Sequence, residues 1–334
     1  MDSSRETVYK AIEFRRPERL PISGHGSASD TLLLMPDWPG GAPPEGGADE
    51  WGCIWSHTHA KNIGQVTGHP LENLKDLSRF HFPDPTAPAR FATVARRVRA
   101  IETGPKKERF RITAIWNTVW ERMHMLHGFE NCLIALIEDE PGIHELGDRI
   151  VDWCIAHIHA MHRQAGSSID AFMLTDDWGT ENSLMISPSL FESFFLSRYK
   201  RLFDAVHEKG WKVWMHSCGR INDAIPLLIE AGVDVLNMQQ PRVNGIEETG
   251  DRFAGNVAFE TLCDIQKTLP VGDTDAIRDE ASRLLRHWGT EKGGFILGDY
   301  GDAGAIGAPP EAKAVMLEAF QDLDRWKARS DSEF

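Results

Sequence analysis

The chain has 334 residues, of which 36 are Lys or Arg and 50 are Asp or Glu, so its formal net charge is -14. This negative charge repels the phosphate backbone and argues against non-specific binding of nucleic acids. The hydrophobic fraction of 41% and the charged fraction of 26% are those of an ordinary folded protein, which argues against extended disorder.

The sequence also argues against a membrane or exported protein. No run approaches the roughly 18 to 20 apolar residues that a membrane helix needs, and the N-terminus has no apolar signal core. The five cysteines are odd in number and have no paired spacing; they are Cys53, Cys132, Cys154, Cys218 and Cys263. This pattern is typical of reduced thiols, so we expect a cytoplasmic location and no membrane partner.

Short β-rich runs alternate with longer amphipathic runs along the chain. The predicted strands are residues 20–23, 111–116, 169–176, 211–216, 233–237, 256–260 and 294–297. The predicted helices between and after them are Pro141–Ala165, 188–208, 222–230, 273–288 and 309–325. The apolar residues of these helices recur at helical spacing, and Pro or Gly marks several of the ends.

Repeated strand–helix alternation predicts a parallel sheet covered by helices. Because no linker interrupts it, we predict one (β/α)₈ TIM barrel domain over residues 1–330, with an irregular N-terminal extension. The Pro/Gly-rich residues 36–50 are predicted to be a loop, either a lid across the barrel mouth or a surface excursion. Residues 331–334 are expected to be a flexible tail.

In such a barrel the residues that end the strands gather at one rim. Five successive predicted strands end in polar or metal-capable residues. These are Asp176 and Asp177, His216 and Cys218, Asn237 and Gln239, Glu260 and Cys263, and Asp299 and Tyr300. We therefore expect the chemistry at this rim, although any solvated rim is polar.

The most specific feature is the run from Trp214 to Gly219, WMHSCG. Alternate strand residues point to one side, so Trp214, His216 and Cys218 are expected to face the barrel interior together. An imidazole nitrogen and a thiolate at this spacing can bind one zinc ion. The alternative is a partly buried histidine beside an inert cysteine.

Zinc chemistry needs a third protein ligand and an open position. The strand ends offer Asp299, Cys263, Glu260 and, as a poorer ligand, the amide of Gln239. The residues alone do not choose among them.

The adjacent carboxylates Asp176 and Asp177 follow an apolar strand, and one of them must face the mouth. There it would suit acid–base work or cation binding. The alternative role for Asp177 is to cap the loop that begins at Trp178.

Several motifs together resemble the uroporphyrinogen decarboxylase superfamily, a group of (β/α)₈ barrels. The matching segments are DDWG (176–179), SPSLF (187–191), FLSRYK (195–200), HSCG (216–219), LIEAGVD (228–234) and DIQKTLP (264–270). The segments RPERLP (16–21), DEWG (49–52) and GGFIL (293–297) are similar too. The resemblance covers nearly the whole chain.

This resemblance implies one of two activities, heme-pathway decarboxylation or corrinoid-linked methyl transfer. Some of the methyltransferases hold zinc with His-x-Cys and a later Cys, and His216 and Cys218 fall on that motif. Where the later Cys is expected the chain has Asp299, which we take as the third metal ligand. The decarboxylase branch fits less well, because residues 21–26 lack its arginine motif.

The predicted function is therefore zinc-assisted methyl transfer between a small methyl donor, a corrinoid carried by a partner protein and a thiol or folate acceptor. Asp176, Asp177 and Tyr300 are expected to be catalytic, and His216, Cys218 and Asp299 to bind the metal. The residues expected to bind substrate are Trp178, Trp214, Gln239, Glu260 and Cys263. The alternatives are a metal-free decarboxylase and a barrel that only binds a corrinoid or small ligand.

Overall fold

The computed structural model describes residues 2–24, 28–37, 46–56 and 64–326. Eight parallel strands form the main sheet. They are β1 (Ile22–Ser23), β2 (Thr31–Leu33), β6 (Phe110–Ile115), β7 (Ala171–Thr175), β8 (Lys212–His216), β9 (Val235–Met238), β10 (Ala258–Thr261) and β11 (Phe295–Gly298). Three further strands, β3 (Gly47–Ala48), β4 (Ile54–Ser56) and β5 (Gln65–Gly68), form a small antiparallel sheet.

The main sheet curls into a nearly closed barrel, in the order β1-β11-β10-β9-β8-β7-β6-β2. The two end strands approach each other, since the amide of Asp30 donates to the carbonyl of Ile22 over 2.7 Å. The hydroxyls of Ser23 and Thr31 lie 3.1 Å apart. The predicted TIM barrel is thus confirmed.

Helices surround the barrel. They are α1 (Ser4–Ile12), α2 (Val94–Glu102), α3 (Trp120–His127), α4 (Phe129–Glu138), α5 (Pro141–Ala165), α6 (Pro188–Leu190), α7 (Ser197–His207), α8 (Ile225–Ala231), α9 (Pro241–Asn244), α10 (Ile246–Phe253), α11 (Thr268–Val271), α12 (Thr274–Trp288) and α13 (Pro310–Asp322). Short 3₁₀ turns cover Leu74–Arg79, Pro88–Phe91, Gly166–Ser168 and Ala303–Ile306, and a π-helical turn covers Phe191–Leu196. Within the described residues, no helix is both long and apolar enough to cross a membrane.

The seven predicted strands match seven of the eight barrel strands, with shifts of one or two residues at most ends. The strand that the sequence did not indicate is β2, which has only three residues and is followed by Pro36 after a short apolar run. The predicted helix 188–208 is divided by the π-helical turn into α6 and α7.

The barrel interior is filled from its N-terminal end. Phe110, Ile112, Ala171, Trp214, Val235, Ala258 and Ile296 form a buried cluster with Val8, Ala11 and Ile12 of α1. The buried carboxylate of Asp170 accepts hydrogen bonds from Arg5 and Tyr9 of that helix, at 2.7 and 2.9 Å. Because α1 seals this end, the carboxyl ends of the strands are the open face.

The small sheet is tied to the barrel at the start of α3. The buried carboxylate of Asp49 accepts from the amides of Trp51 and Cys53 and lies 3.6 Å from the guanidinium of Arg122. Of the loop predicted at 36–50, residues 38–45 lie outside the described residues, as does the tail predicted at 331–334.

Candidate metal centre at the barrel mouth

The end of β8 places an imidazole and a thiol side by side. Val213 and Met215 pack in the core between barrel and helices, whereas Trp214 lies in the interior cluster, as strand alternation predicts. His216 continues the inward row, and its Nε2 lies 3.4 Å from Sγ of Cys218. The two side chains therefore converge on one point.

Asp177 completes a group of three possible ligands. Its Oδ1 lies 3.6 Å from Nε2 of His216 and accepts a hydrogen bond of 2.8 Å from the amide of Cys218. The ligand atoms of Asp177, His216 and Cys218 all lie within 4.8 Å of one another, and the described residues hold no other group of this kind. The Asp177 side chain is 40% exposed, so the group opens to the mouth.

Two glycines bring the loops of β7 and β8 together. Gly179 donates its amide to the Cys218 carbonyl over 3.1 Å, and a Cβ on Gly219 would overlap the Gly179 carbonyl. Gly219 also has a φ of +79°, which favours glycine. This backbone contact sets Asp177 beside Cys218.

The second ring nitrogen of His216, Nδ1, also has a hydrogen-bond partner. Nδ1 lies 2.5 Å from Oδ1 of Asn237, and the Asn237 amide nitrogen lies 2.6 Å from Oε2 of Glu260. The same Glu260 oxygen accepts from the indole of Trp214 over 2.7 Å. Strand register explains the row, because His216 pairs with Asn237 and Asn237 with Glu260 across neighbouring strands.

Asp176 faces away from the mouth and is fully buried. Its carboxylate accepts from the amides of Val119 and Glu121, both at 2.8 Å, and from the Tyr199 hydroxyl at 2.7 Å. Burial raises the pKa of Asp176 to about 6, although these donors oppose the shift. Asp176 thus fixes the start of α3, and Asp177 is the member of the pair that faces the mouth.

Glu121 is a site residue that the sequence did not indicate. Its Oε2 accepts a hydrogen bond of 3.3 Å from the hydroxyl of Thr175, which pairs with His216 in the sheet. Burial, and then the charges of Asp176 and Asp177, raise the pKa of Glu121 well above its usual value. Its only sequence signal is its place shortly after β6, which no motif marks.

The donor set suits a divalent metal of the zinc type. It combines an imidazole nitrogen, a sulfur and a carboxylate oxygen, which are the groups that zinc binds in proteins. Burial raises the pKa of the Cys218 thiol, and the carboxylates of Asp177 and Glu121 raise it further. A cation is what would stabilise a thiolate among these acidic groups, so the residues fit the metal.

The loop after β11 does not place Asp299 in the group of three possible ligands, where the sequence predicted it. Asp299 is almost buried and forms an ion pair of 2.6 Å with Lys313 of α13, outside the group of three ligands. Burial raises the pKa of Tyr300, and the negative charge of a Cys218 thiolate raises it further. Within the described residues, it is Asp177 and not Asp299 that lies with His216 and Cys218.

Of the five residues expected to bind substrate, the structure buries four. Trp178 is fully buried, stacks on Trp120 and donates to the Tyr199 hydroxyl. The Sγ of Cys263 points to the carbonyl of Ile277 in α12. Trp214 and Glu260 lie inside the barrel below His216, as described above. The half-buried Gln239 follows β9, so the structure leaves it nearest to solvent.

The cations near the strand ends are engaged elsewhere. Arg220 binds the carbonyl of Val243 and the carboxylate of Glu248, at 2.9 and 3.2 Å. Arg242 lies 3.3 Å from the hydroxyl of Thr268. Within the described residues, the groups that converge at the candidate centre are an imidazole, a thiol and a carboxylate, which suit a metal cation better than a substrate with many carboxylates.

Comparison with known proteins places the chain in a family. The sequence model described as uroporphyrinogen decarboxylase (URO-D) matches residues 55–323. A protein named uroporphyrinogen decarboxylase from Alkalilimnicola ehrlichii is 22% identical in an alignment of length 279 that covers 78% of this chain and 69% of that protein. A solved methyltransferase from Methanosarcina mazei is similar in structure, with a TM-score of 0.72 and 16% identity over 97% of this chain and 99% of that one.

Proposed function

Since the chain belongs to the uroporphyrinogen decarboxylase family, we propose that it is a methyltransferase of that family with a zinc centre formed by Asp177, His216 and Cys218. The observation that carries the proposal is the convergence of these three side chains at the open end of the barrel. The fold is also that of a protein named a methyltransferase, at an identity that supports the fold alone.

The proposed reaction transfers a methyl group from a corrinoid to a thiol. The thiol loses its proton to water, its sulfur forms a bond to the methyl carbon, and the cobalt–carbon bond breaks and leaves its electron pair on cobalt. When bound, Zn²⁺ supplies a Lewis acid that lowers the pKa of the thiol. A folate acceptor remains the alternative to a thiol, and a corrinoid protein is the proposed partner.

The residues around the centre have separate tasks in this proposal. Asp177, His216 and Cys218 bind the metal, and the half-exposed Asp177 marks the side from which an acceptor enters. The raised pKa of Glu121 favours its protonated form, which limits the negative charge near the centre. Asp176 holds the start of α3, on which Glu121 lies. Tyr300, in the loop after β11, positions the substrate.

Decarboxylation of a tetrapyrrole is the second candidate function. The relative from Alkalilimnicola ehrlichii that bears the decarboxylase name favours it. The contacts that Arg220 and Arg242 already make argue against it. A substrate carboxylate without a cationic partner would lose its hydration on binding without compensation.

The proposal is tested by supplying the purified protein and Zn²⁺ with methylcobalamin and a panel of small thiols. We expect the wild type to form the methyl thioether and Cys218→Ser to lose at least about 100-fold in rate, an estimate that starts from the 10–100-fold cost of losing a residue that only orients a ligand. Cys263→Ser is the matched control, because Cys263 lies against α12 and away from the mouth.

Uroporphyrinogen is the competing substrate in the same experiment. Turnover of uroporphyrinogen at equal rates in the wild type and Cys218→Ser would replace the proposal with the decarboxylase. Binding of methylcobalamin without any product, unchanged in both variants, would replace it with a barrel that only binds its ligand.

A further inference from the structure

A buried row of polar side chains lies directly beneath the candidate metal centre. His216, Asn237 and Glu260 sit at one level of the barrel interior, because each pairs in register with the next across β8, β9 and β10. Asn237 and Glu260 are only 4% and 7% exposed. Neither side chain is therefore in a position to bind a substrate at the mouth.

The chemistry of the groups determines which way each one points. The indole of Trp214 can only donate a hydrogen bond, so Oε2 of Glu260, 2.7 Å away, must be an acceptor. With Glu260 as a carboxylate, the Asn237 group that meets the same oxygen at 2.6 Å is the NH₂ group. The carbonyl oxygen of the Asn237 amide consequently faces His216.

The direction of the amide sets the state of the imidazole. Oδ1 of Asn237 has no proton to donate, so Nδ1 of His216, at 2.5 Å, must carry one. In the neutral ring this leaves the lone pair on Nε2, the nitrogen that lies 3.4 Å from Sγ of Cys218 and 3.6 Å from Oδ1 of Asp177. The free lone pair thus points at the other two ligands.

We propose that Glu260 and Asn237 are positioning residues that hold His216 in the tautomer with its proton on Nδ1 and its Nε2 lone pair directed at the metal centre. The Glu260 carboxylate fixes the orientation of the Asn237 amide, and that amide fixes the ring of His216. Trp214 donates to the Glu260 carboxylate and holds it in place. Partners of this kind orient metal-binding histidines generally, and their loss costs about 10- to 100-fold in metal affinity. The consequence for metal binding rests on the proposed zinc centre, but the tautomer does not.

Removal of each acceptor tests this row. Asn237→Leu keeps the approximate volume of the side chain but offers Nδ1–H of His216 no acceptor. Glu260→Met removes the acceptor that holds the NH₂ group of Asn237. Glu260→Gln keeps an acceptor for both donors and is the conservative control.

The first readout is the tautomer of His216 in the metal-free protein, from ¹⁵N NMR of histidine-labelled samples at a pH of about 8, where an ordinary imidazole is neutral. The His216 signals are assigned by their loss in His216→Gln. We expect the Nδ1–H tautomer in the wild type and in Glu260→Gln, and its loss in Asn237→Leu. An Nε2–H tautomer in the wild type would overturn the proposal.

The second readout is the Kd for Co²⁺, used as a spectroscopic substitute for zinc. We expect Asn237→Leu and Glu260→Met to weaken binding by about 10- to 100-fold and Glu260→Gln to stay within about threefold of the wild type. An Asn237→Leu protein that binds Co²⁺ as tightly as the wild type would overturn the proposal. The expected tautomer in a protein that binds no Co²⁺ would support the row and refute the zinc centre instead, so the two failures are distinguishable.

Discussion

Gly179 and Gly219 lie in backbone contact where the loops after β7 and β8 meet. A side chain on Gly219 would overlap the Gly179 carbonyl, and the amide of Gly179 is bonded to the carbonyl of Cys218. The contact explains why Asp177, which follows one strand, shares a site with His216 and Cys218, which end the next. The candidate centre therefore depends on two glycines, which have no side chain that could bind a metal or react.

Gly219→Ala tests this dependence. We expect the substitution to lower the free energy of unfolding by more than about 3 kcal/mol, since it adds steric overlap to an unfavourable φ, and to weaken Zn²⁺ binding. The matched control is Gly210→Ala, because Gly210 also has a positive φ, of +72°, but has nothing near its Cβ position. Its expected loss is about 1–2 kcal/mol. Equal losses in urea unfolding of the two variants would mean that the contact is not tight.

Two variants test whether Asp177 or Asp299 is the third metal ligand. We expect Asp177→Asn to weaken Zn²⁺ binding by at least about 100-fold, judged against the 10–100-fold cost of losing an orienting residue. Asp299→Asn should change it less than about threefold, because Asp299 is paired with Lys313. Competition with a chromogenic chelator measures both. The opposite ranking would restore Asp299 as the ligand.

Tyr199 is expected to stabilise the fold through Asp176. Tyr199→Phe removes the hydroxyl that donates to this buried carboxylate over 2.7 Å, and loss of such a bond to a charged group costs about 1.5–3 kcal/mol. In Tyr300→Phe, the same change at a half-buried position near the mouth, we expect less than about 0.5 kcal/mol. Denaturant unfolding at neutral pH compares the two. A Tyr199→Phe protein as stable as the wild type would contradict the role of the hydroxyl.

Buried histidine is expected to contribute a loss of stability in mild acid. Burial lowers the pKa of His157 from 6.5 to about 4. Between these pH values the unfolded chain binds a proton at this residue that the folded chain does not, so the contribution of His157 to the free energy of unfolding decreases as the pH falls from 6.5 to 4. Asp176, whose pKa is raised to about 6, contributes with the opposite sign. The loss attributable to His157 is on the order of 3 kcal/mol.

Relative to the wild type, the unfolding free energy of His157→Phe should therefore decrease less, or increase more, as the pH falls through this window. His81→Gln is the control, since His81 is exposed, and it should leave the slope unchanged. His124, whose pKa is also lowered to about 4, will keep part of the slope in His157→Phe. A slope identical to that of the wild type in His157→Phe would contradict the assignment.

Much of the fold was predictable because strand and helix periodicity are local. Pro141–Ala165 carries its apolar stripe in its own sequence, and the strand ending at His216 displays its alternation directly. The strand β2 was not predicted because three residues are too few to show an alternating pattern. Topology then placed His216 and Cys218 at the open rim, since parallel strands all end on one side.

The rest of the candidate centre depended on contacts between loops and helices, which spacing does not encode. Asp177 comes to the site through the two glycines, and Asp299 is drawn away by Lys313, which lies on the next helix, α13. Cys263 follows its strand closely, yet its Sγ turns to α12. Glu121 lies on α3, so an inspection of the residues that end the strands could not identify it.

The most direct test of the central claim is anomalous diffraction at the zinc edge from crystals of the zinc-loaded protein. We expect one peak per chain within about 2.0–2.3 Å of Nε2 of His216, Sγ of Cys218 and an Asp177 oxygen, and no such peak in crystals of Cys218→Ser. A wild-type map without a peak between these three side chains, or an equal peak in Cys218→Ser, would contradict the account.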